Sequence, residues 1–127
     1  MVFAKMLFES GKIEDVNYQI YLKWFDSFTE ECPVHQIVYV KTDPVLCHER
    51  IAKRCRAGED VIPLEYLSEC HKYHENMLDK HSEDCVCADQ LVLNGNVDIF
   101  ECADALTSMV DAVKTYIGVA SGRMAEL

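Results

Sequence analysis

Gln36-Ile37-Val38-Tyr39-Val40, followed at once by Lys41-Thr42-Asp43-Pro44, is the stretch of this 127-residue chain on which the fold turns. Its first five residues are rich in β-branched side chains (Ile37, Val38 and Val40) and nearly all apolar, as expected of a strand buried on both faces of a parallel sheet. Asp43 then reads as a natural N-cap. Pro44 fits the first helical turn, where its missing N–H would have had no intrahelical partner. The helix so opened is predicted to reach Lys53 or Arg54. A strand that passes directly into a helix is the first half of a parallel crossover.

Toward the N-terminus, residues 2–9 (VFAKMLFE) are apolar and helix-compatible, and Ser10-Gly11 supplies a stop. A second helix is predicted from about Asp15 to Glu31. Ile20, Trp24 and Phe28 recur along it at helical spacing, Tyr21 and Phe25 widen the stripe, and Pro33 breaks the pattern. Toward the C-terminus, Ala57-Gly58-Glu59-Asp60 is a polar break before Pro63 opens a helix carrying Leu64, Leu67, His71, His74 and Leu78 on one side. Gln90-Leu91-Val92-Leu93 reads as a second buried strand, and Asn94-Gly95-Asn96 as a turn. Asp98 with Glu101 resembles a capping box. The last helix places Cys102, Leu106, Met109, Val113 and Ile117 near one face, and Gly118 to Leu127 is predicted to fray. Two apolar strands joined through helices imply a parallel α/β arrangement. A two-stranded parallel sheet is narrow, so the pattern is that of part of a larger one. Without repeats or a linker, residues 1–127 form a single partial domain.

A formal charge of −10 disfavours binding to nucleic acid, whose phosphates reward a basic surface. No apolar run approaches the ~20 residues of a membrane-spanning helix, so neither nucleic acid nor membrane is expected as a partner. Of twelve Lys and Arg residues, Arg50, Lys53, Arg54 and Arg56 cluster, which suits either a small anionic ligand or a solvated helix face. Seven cysteines, an odd number, are expected to stay reduced. Cys85-x-Cys87, with His71, His74 and His81 upstream, lacks the paired C-x₂₋₄-C spacing of a zinc knuckle, and no metal site is expected.

Arg50 and Arg54 share a helix face and Arg56 lies just past it, so three guanidiniums could clamp a polyphosphate. Arginine suits that work, since its fork donates parallel hydrogen bonds to phosphate and stays charged. Glu59, beside the cluster, is either a salt-bridge partner or an acceptor for a ligand hydroxyl.

These segments also resemble a known family. R-x-x-x-R-C-R (Arg50 to Arg56), E-D-V-I-P-L-E-Y-L (Glu59 to Leu67) and H-x-x-H-E (His71 to Glu75) look like the lid and following helix of the deoxynucleoside kinases. The opening V-F-A-K-M-L-F-E-S-G-K, Y-x-x-W-F-D at Tyr21 to Asp26, I-V-Y-V-K-T-D-P at Ile37 to Pro44 and L-V-L-N at Leu91 to Asn94 fit as well. The likeness runs from Val2 to about Ile117 and leans to the mitochondrial thymidine kinase and insect multisubstrate branch. It implies the C-terminal part of a P-loop kinase-type parallel sheet with helices on both faces, two strands and about five helices being present.

By the same resemblance, the activity is transfer of the γ-phosphoryl of ATP, with Mg²⁺ in the intact enzyme, to the 5′-hydroxyl of a deoxynucleoside. A homodimeric intact enzyme and an intracellular location, cytoplasmic or mitochondrial, are also implied. Arg50, Arg54 and Arg56 match the lid arginines that close over the donor phosphates and assist transfer. Glu59 matches the acid that accepts from the deoxyribose 3′-hydroxyl, and Phe3 the ring that stacks on the substrate base. Asn94, Gly95, Asn96 and Val97 match the loop beside the adenine of ATP. Two departures stand out: Gly95-Asn96 replaces positions where acids are common, and Gly58 replaces a frequent lid acid.

The phosphate loop G-x-x-x-x-G-K-[ST] is missing from these residues, Gly11-Lys12 being followed by Ile13. The family's general base and Asp-Arg pair would fall ahead of Met1. The expectation is therefore a C-terminal piece of a full kinase, inactive alone. The alternative is a stand-alone, non-catalytic nucleotide-binding or dimerising fragment that modulates an intact kinase. Another P-loop kinase, such as a thymidylate kinase, fits the I-P-L-E-Y-L segment poorly.

Overall fold

The computed structural model describes residues 2–54, 56, 58 and 62–124. Among them the order is α1 (Val2–Glu9), α2 (Asp15–Glu31), β1 (Ile37–Lys41), α3 (Pro44–Arg54), α4 (Leu64–Leu78), β2 (Gln90–Asn94) and α5 (Ala103–Met124). The chain is thus mixed α/β, with five helices and a two-stranded parallel sheet. β1 and β2 pair from Ile37↔Gln90 to Lys41↔Asn94, so both strands end at the same edge of the sheet. The two helices α3 and α4 lie between them in sequence, as a parallel connection requires.

Helix α1 buries Val2 and Met6, one turn apart, and packs on α4 and α2. Met6 Sδ lies 3.9 Å from Cys70 Sγ on α4, and Tyr73 of α4 donates its hydroxyl proton to Glu9. Lys5 reaches Asp84 beyond the end of α4 in an ion pair. Tyr18 of α2 is buried, its ring stacked on Phe8 at 4.3 Å, and Tyr21 and Phe25 continue that row. The apolar stripe expected on α2 is therefore divided. Tyr18, Tyr21 and Phe25 turn inward, whereas Ile20, Trp24 and Phe28 stand in solvent, Trp24 at 63% exposure.

The strands also depart from expectation. Along β1 the residues alternate between half-buried and exposed, with Val38 and Val40 on the exposed side. Val92 of β2 is exposed too. A strand covered on one face only shows this period of two. Covering comes from the side of Tyr39 and Lys41, where both side chains meet Glu75 of α4.

One helix start differs from the sequence reading. Asp98 does not cap α5. Its carboxylate accepts from the Phe100 N–H at 2.9 Å, a turn follows, and the helix starts at Ala103. Local Asx-turn bonding competes with capping for the same side chain. At the other end α5 runs through Gly118 to Met124.

The Tyr39–Glu75–Lys41 cluster generates a pH prediction. Burial and the hydrogen bond to Glu75 push the Tyr39 phenol up to about 12. Burial works to raise the Glu75 carboxyl, but hydrogen bonds from Lys41 and Tyr39 outweigh it and leave it below its ordinary value of 4.5. A depressed carboxyl contributes stability above that value and loses it as pH falls. A raised phenol contributes below its ordinary value of 10.0 and loses it on the way to about 12. Urea midpoints followed across pH should show both losses. Glu75→Gln should flatten the acid limb, and Tyr39→Phe the alkaline one.

Candidate functional site

The strand ends and α3 enclose a cavity of about 660 Å³. One wall is α3, contributing Leu46, Glu49, Arg50, Lys53 and Arg54; the other is the segment after β2, from Gly95 to Phe100. Helix α3 forms here because Pro44 fixes the first turn and the Cys47 N–H closes on Asp43 O at 3.0 Å. Its last turn ends in Lys53 and Arg54, whose charges also complement the negative end of the helix dipole.

The turn after β2 is drawn tightly against β1 and α3. Gly95 N–H donates to Lys41 O at 2.7 Å, and Asn96 N–H donates to Asn94 Oδ1 at 3.0 Å. Gly95 is buried, and a Cβ there would run into Thr42 Oγ1 and come within 2.9 Å of Lys41 O. Glycine is thus required by close approach, whatever the backbone angles. Arg50 completes the closure, with Nη1 donating to Gly95 O at 2.7 Å and Nη2 to Val97 O at 3.3 Å.

The structure brings Arg50 and Arg54 to one cavity together with Gly95, Asn96 and Val97. Arg56 is exposed and is not among the residues lining it. Glu59 lies outside the described residues. Asn94 holds the turn through Asn96 N–H. Phe3 sits elsewhere, half in solvent at 54%, its ring edge-on to His74 at 6.0 Å. His74 belongs to a second cavity of about 250 Å³, lined also by Tyr39, Cys47, Cys70 and His71. Val40 borders both cavities. His74 Nδ1 is 2.7 Å from Cys70 O, a local helix contact. Cys85 Sγ points to Cys87 O at 3.4 Å, and Gln90 Nε2 to Cys87 O at 2.7 Å. Among the described residues no group of three or more His, Cys, Asp or Glu could hold a metal ion, and no helix is long and apolar enough to cross a membrane.

A cationic helix facing a glycine-centred turn, at the carboxyl ends of parallel strands, is the arrangement that α/β proteins use for ligands. The deoxynucleoside kinase family profile matches residues 1–118. This chain belongs to the deoxynucleoside kinase family. Mitochondrial thymidine kinase 2 of Homo sapiens is 40% identical over 97 residues, covering 75% of this chain and 37% of the human protein. The probable deoxycytidine kinase of fowlpox virus (strain NVSL) is 29% identical over 119 residues, 91% of this chain and 50% of its own length. Deoxycytidine kinase 2 of Gallus gallus is 42% identical over 81 residues, 61% of this chain and 31% of its own. The chain therefore spans half or less of these deoxynucleoside kinase relatives.

Arg50, Arg54 and the turn after β2 are named by the sequence and border this cavity, whereas Asp43 reads there only as a cap and the apolar lining residues Leu46, Ile99, Phe100 and Met109 carry no signal. The reciprocal partner of Asp43 is Asn96, 53 positions away, which no local pattern encodes. Gly95 offers a direct test. Gly95→Ala should cost about 1–3 kcal/mol through the forced shift of Thr42 and Lys41. Gly118→Ala, where nothing described lies within 4 Å, should be neutral or stabilising, alanine being the better helix former. Comparison of urea midpoints for the two variants checks both.

Proposed function

We propose that this chain supplies the nucleotide side of a deoxynucleoside kinase site, the whole reaction being ATP plus deoxynucleoside giving ADP plus deoxynucleoside 5′-monophosphate. The single observation supporting this is the 660 Å³ cavity, in which Arg50, Lys53 and Arg54 face the Gly95–Val97 turn. The cavity fits an adenine nucleotide in kind. Leu46, Ile99, Phe100 and Met109 offer apolar wall for a base, and three cationic side chains offer charge for phosphates. Arg54 and Lys53 would hold the phosphates, with Arg56 joining them by family likeness; the Asn94–Val97 turn would border the adenine. Glu59 would accept from the substrate 3′-hydroxyl, and Phe3 would stack on its base. Mg²⁺, brought with the ATP, would neutralise charge on the transferring phosphoryl group.

In that reaction the bond between the γ-phosphorus and its bridging oxygen breaks and a bond to the 5′-oxygen forms. The hydroxyl proton passes to a general base. The phosphate-loop pattern does not occur in the 127 residues and, by family likeness, that base would not either, so turnover would belong to a whole kinase, a homodimer in the cytoplasm or mitochondria. The 127-residue chain alone should not phosphorylate thymidine, deoxycytidine or purine deoxynucleosides with ATP; turnover above a blank would contradict this.

The exposed row Ile20, Trp24 and Phe28 favours a second reading, a non-catalytic nucleotide-binding or dimerising fragment that modulates an intact kinase. Sedimentation with and without intact kinase separates the two, since only the second reading expects a stable mixed complex that changes the kinase's rate. For the nucleotide itself, Arg54→Ala should weaken ATP binding about tenfold while leaving adenosine nearly unchanged, because only ATP carries phosphates. Equal loss for both ligands would sink the phosphate assignment.

A further inference from the structure

Asp43 and Asn96 meet where β1 turns into α3. Asp43 N–H donates to Asn96 Oδ1 at 2.8 Å, and Asn96 Nδ2 donates back to Asp43 Oδ2 at 2.8 Å. Both residues are exposed, so packing does not force this pairing. Asparagine is the residue it needs: one amide both accepts from a backbone N–H and donates to a carboxylate, which neither Asp nor Ala can do. The bonds tie the turn to the first residue before α3, while Arg50 ties the same turn to the middle of that helix.

We infer that the Asp43–Asn96 pair is a clasp that positions the Gly95–Val97 turn for the nucleotide base. The inference rests on the nucleotide reading above and adds a residue pair to it. The clasp acts through the backbone, since the side chains of Asp43 and Asn96 are spent on each other. It holds the turn against α3 before a ligand arrives, so binding does not have to order it. Without it, the Gly95 N–H would still donate to Lys41 O and Arg50 would still draw on the carbonyls of Gly95 and Val97, but the Asn96 side of the turn would lose its link to the start of α3.

The test uses the whole 127-residue chain with adenosine and ATP as probes, and amide hydrogen exchange as a second readout. Asn96→Asp removes the Nδ2 donor and sets a carboxylate against a carboxylate. It should speed exchange at Gly95 and residue 96 and weaken adenosine and ATP alike, each by about tenfold. Adenosine is the deciding ligand, because it carries no charge for the new carboxylate to repel. Adding Asp43→Asn restores the donor from the other side, so the double variant should recover both readouts to within about threefold of the parent. Far-UV circular dichroism confirms that each variant is folded.

Unchanged exchange in Asn96→Asp would show that the clasp holds nothing. Faster exchange with unchanged adenosine affinity would show that it holds the turn without serving the ligand. Failure of the double variant to recover would assign the loss to something other than the pair. If the parent chain binds neither adenosine nor ATP while its Gly95 amide is protected, the nucleotide reading fails and the positioning role with it.

Discussion

The parallel pairing of Ile37–Lys41 with Gln90–Asn94 is the constraint from which the site follows. Because Lys41 stands opposite Asn94, both strands stop together, and the segments that leave them emerge side by side. One becomes the start of α3 and the other the Gly95–Val97 turn. Had the register slipped by one residue, every side chain on one strand would change face and Gly95 would lose its approach to Lys41 O. Parallel strands need a long crossover, and here α3 and α4 supply it. The cationic helix is therefore placed beside the turn by topology, before any side-chain contact is made.

The rest of the packing is thin. Val2, Met6 and Tyr18 are the buried apolar residues among those described, while Val38, Val40, Val92, Trp24 and Phe28 remain in contact with water. Full burial of each large apolar side chain stabilises by about 1.5–3 kcal/mol, so a face left open forfeits a large share of what the sequence could contribute. Tyr39, Lys41 and Glu75 partly compensate by linking the covered face of β1 to α4 through charge-assisted bonds. Parallel sheets are ordinarily covered on both sides, and the strand composition is suited to that state, whereas the observed burial has one side open.

This contrast marks what the sequence could and could not reveal. Helix and strand positions were legible because they depend on periodicity, on Pro44 and on Ser10-Gly11, all of which act within a few residues. The two-sided burial of β1 was read from composition, which records what a strand is fit for and not what covers it here. Asp98 and Glu101 matched a capping box, yet the carboxylate found the Phe100 N–H nearer to hand. Asp43 was legible as a helix start, and its backbone carbonyl does close the first turn. Its carboxylate, however, serves a residue far along the chain. The arginine cluster was legible as a cationic face. The sharing of work within it was not, since that depends on which carbonyls the fold brings close.

That sharing separates two arginines of α3. Arg50 and Arg54 are the same residue type on the same helix face, and both border the cavity. Arg50 nonetheless uses two separate nitrogens on separate carbonyls, Nη1 on Gly95 O and Nη2 on Asn96 O and Val97 O. A lysine at that position would have to donate from a single nitrogen, whereas the planar fork holds two nitrogens apart to meet carbonyls at different places along the turn, even with no phosphate in reach. An arginine bonded in this way holds the turn and the helix at a fixed separation, and so sets the width of the cavity that Arg54 borders. The cationic lining and the fixed separation of turn and helix are then carried by neighbouring turns of one helix, Arg54 supplying the first and Arg50 the second.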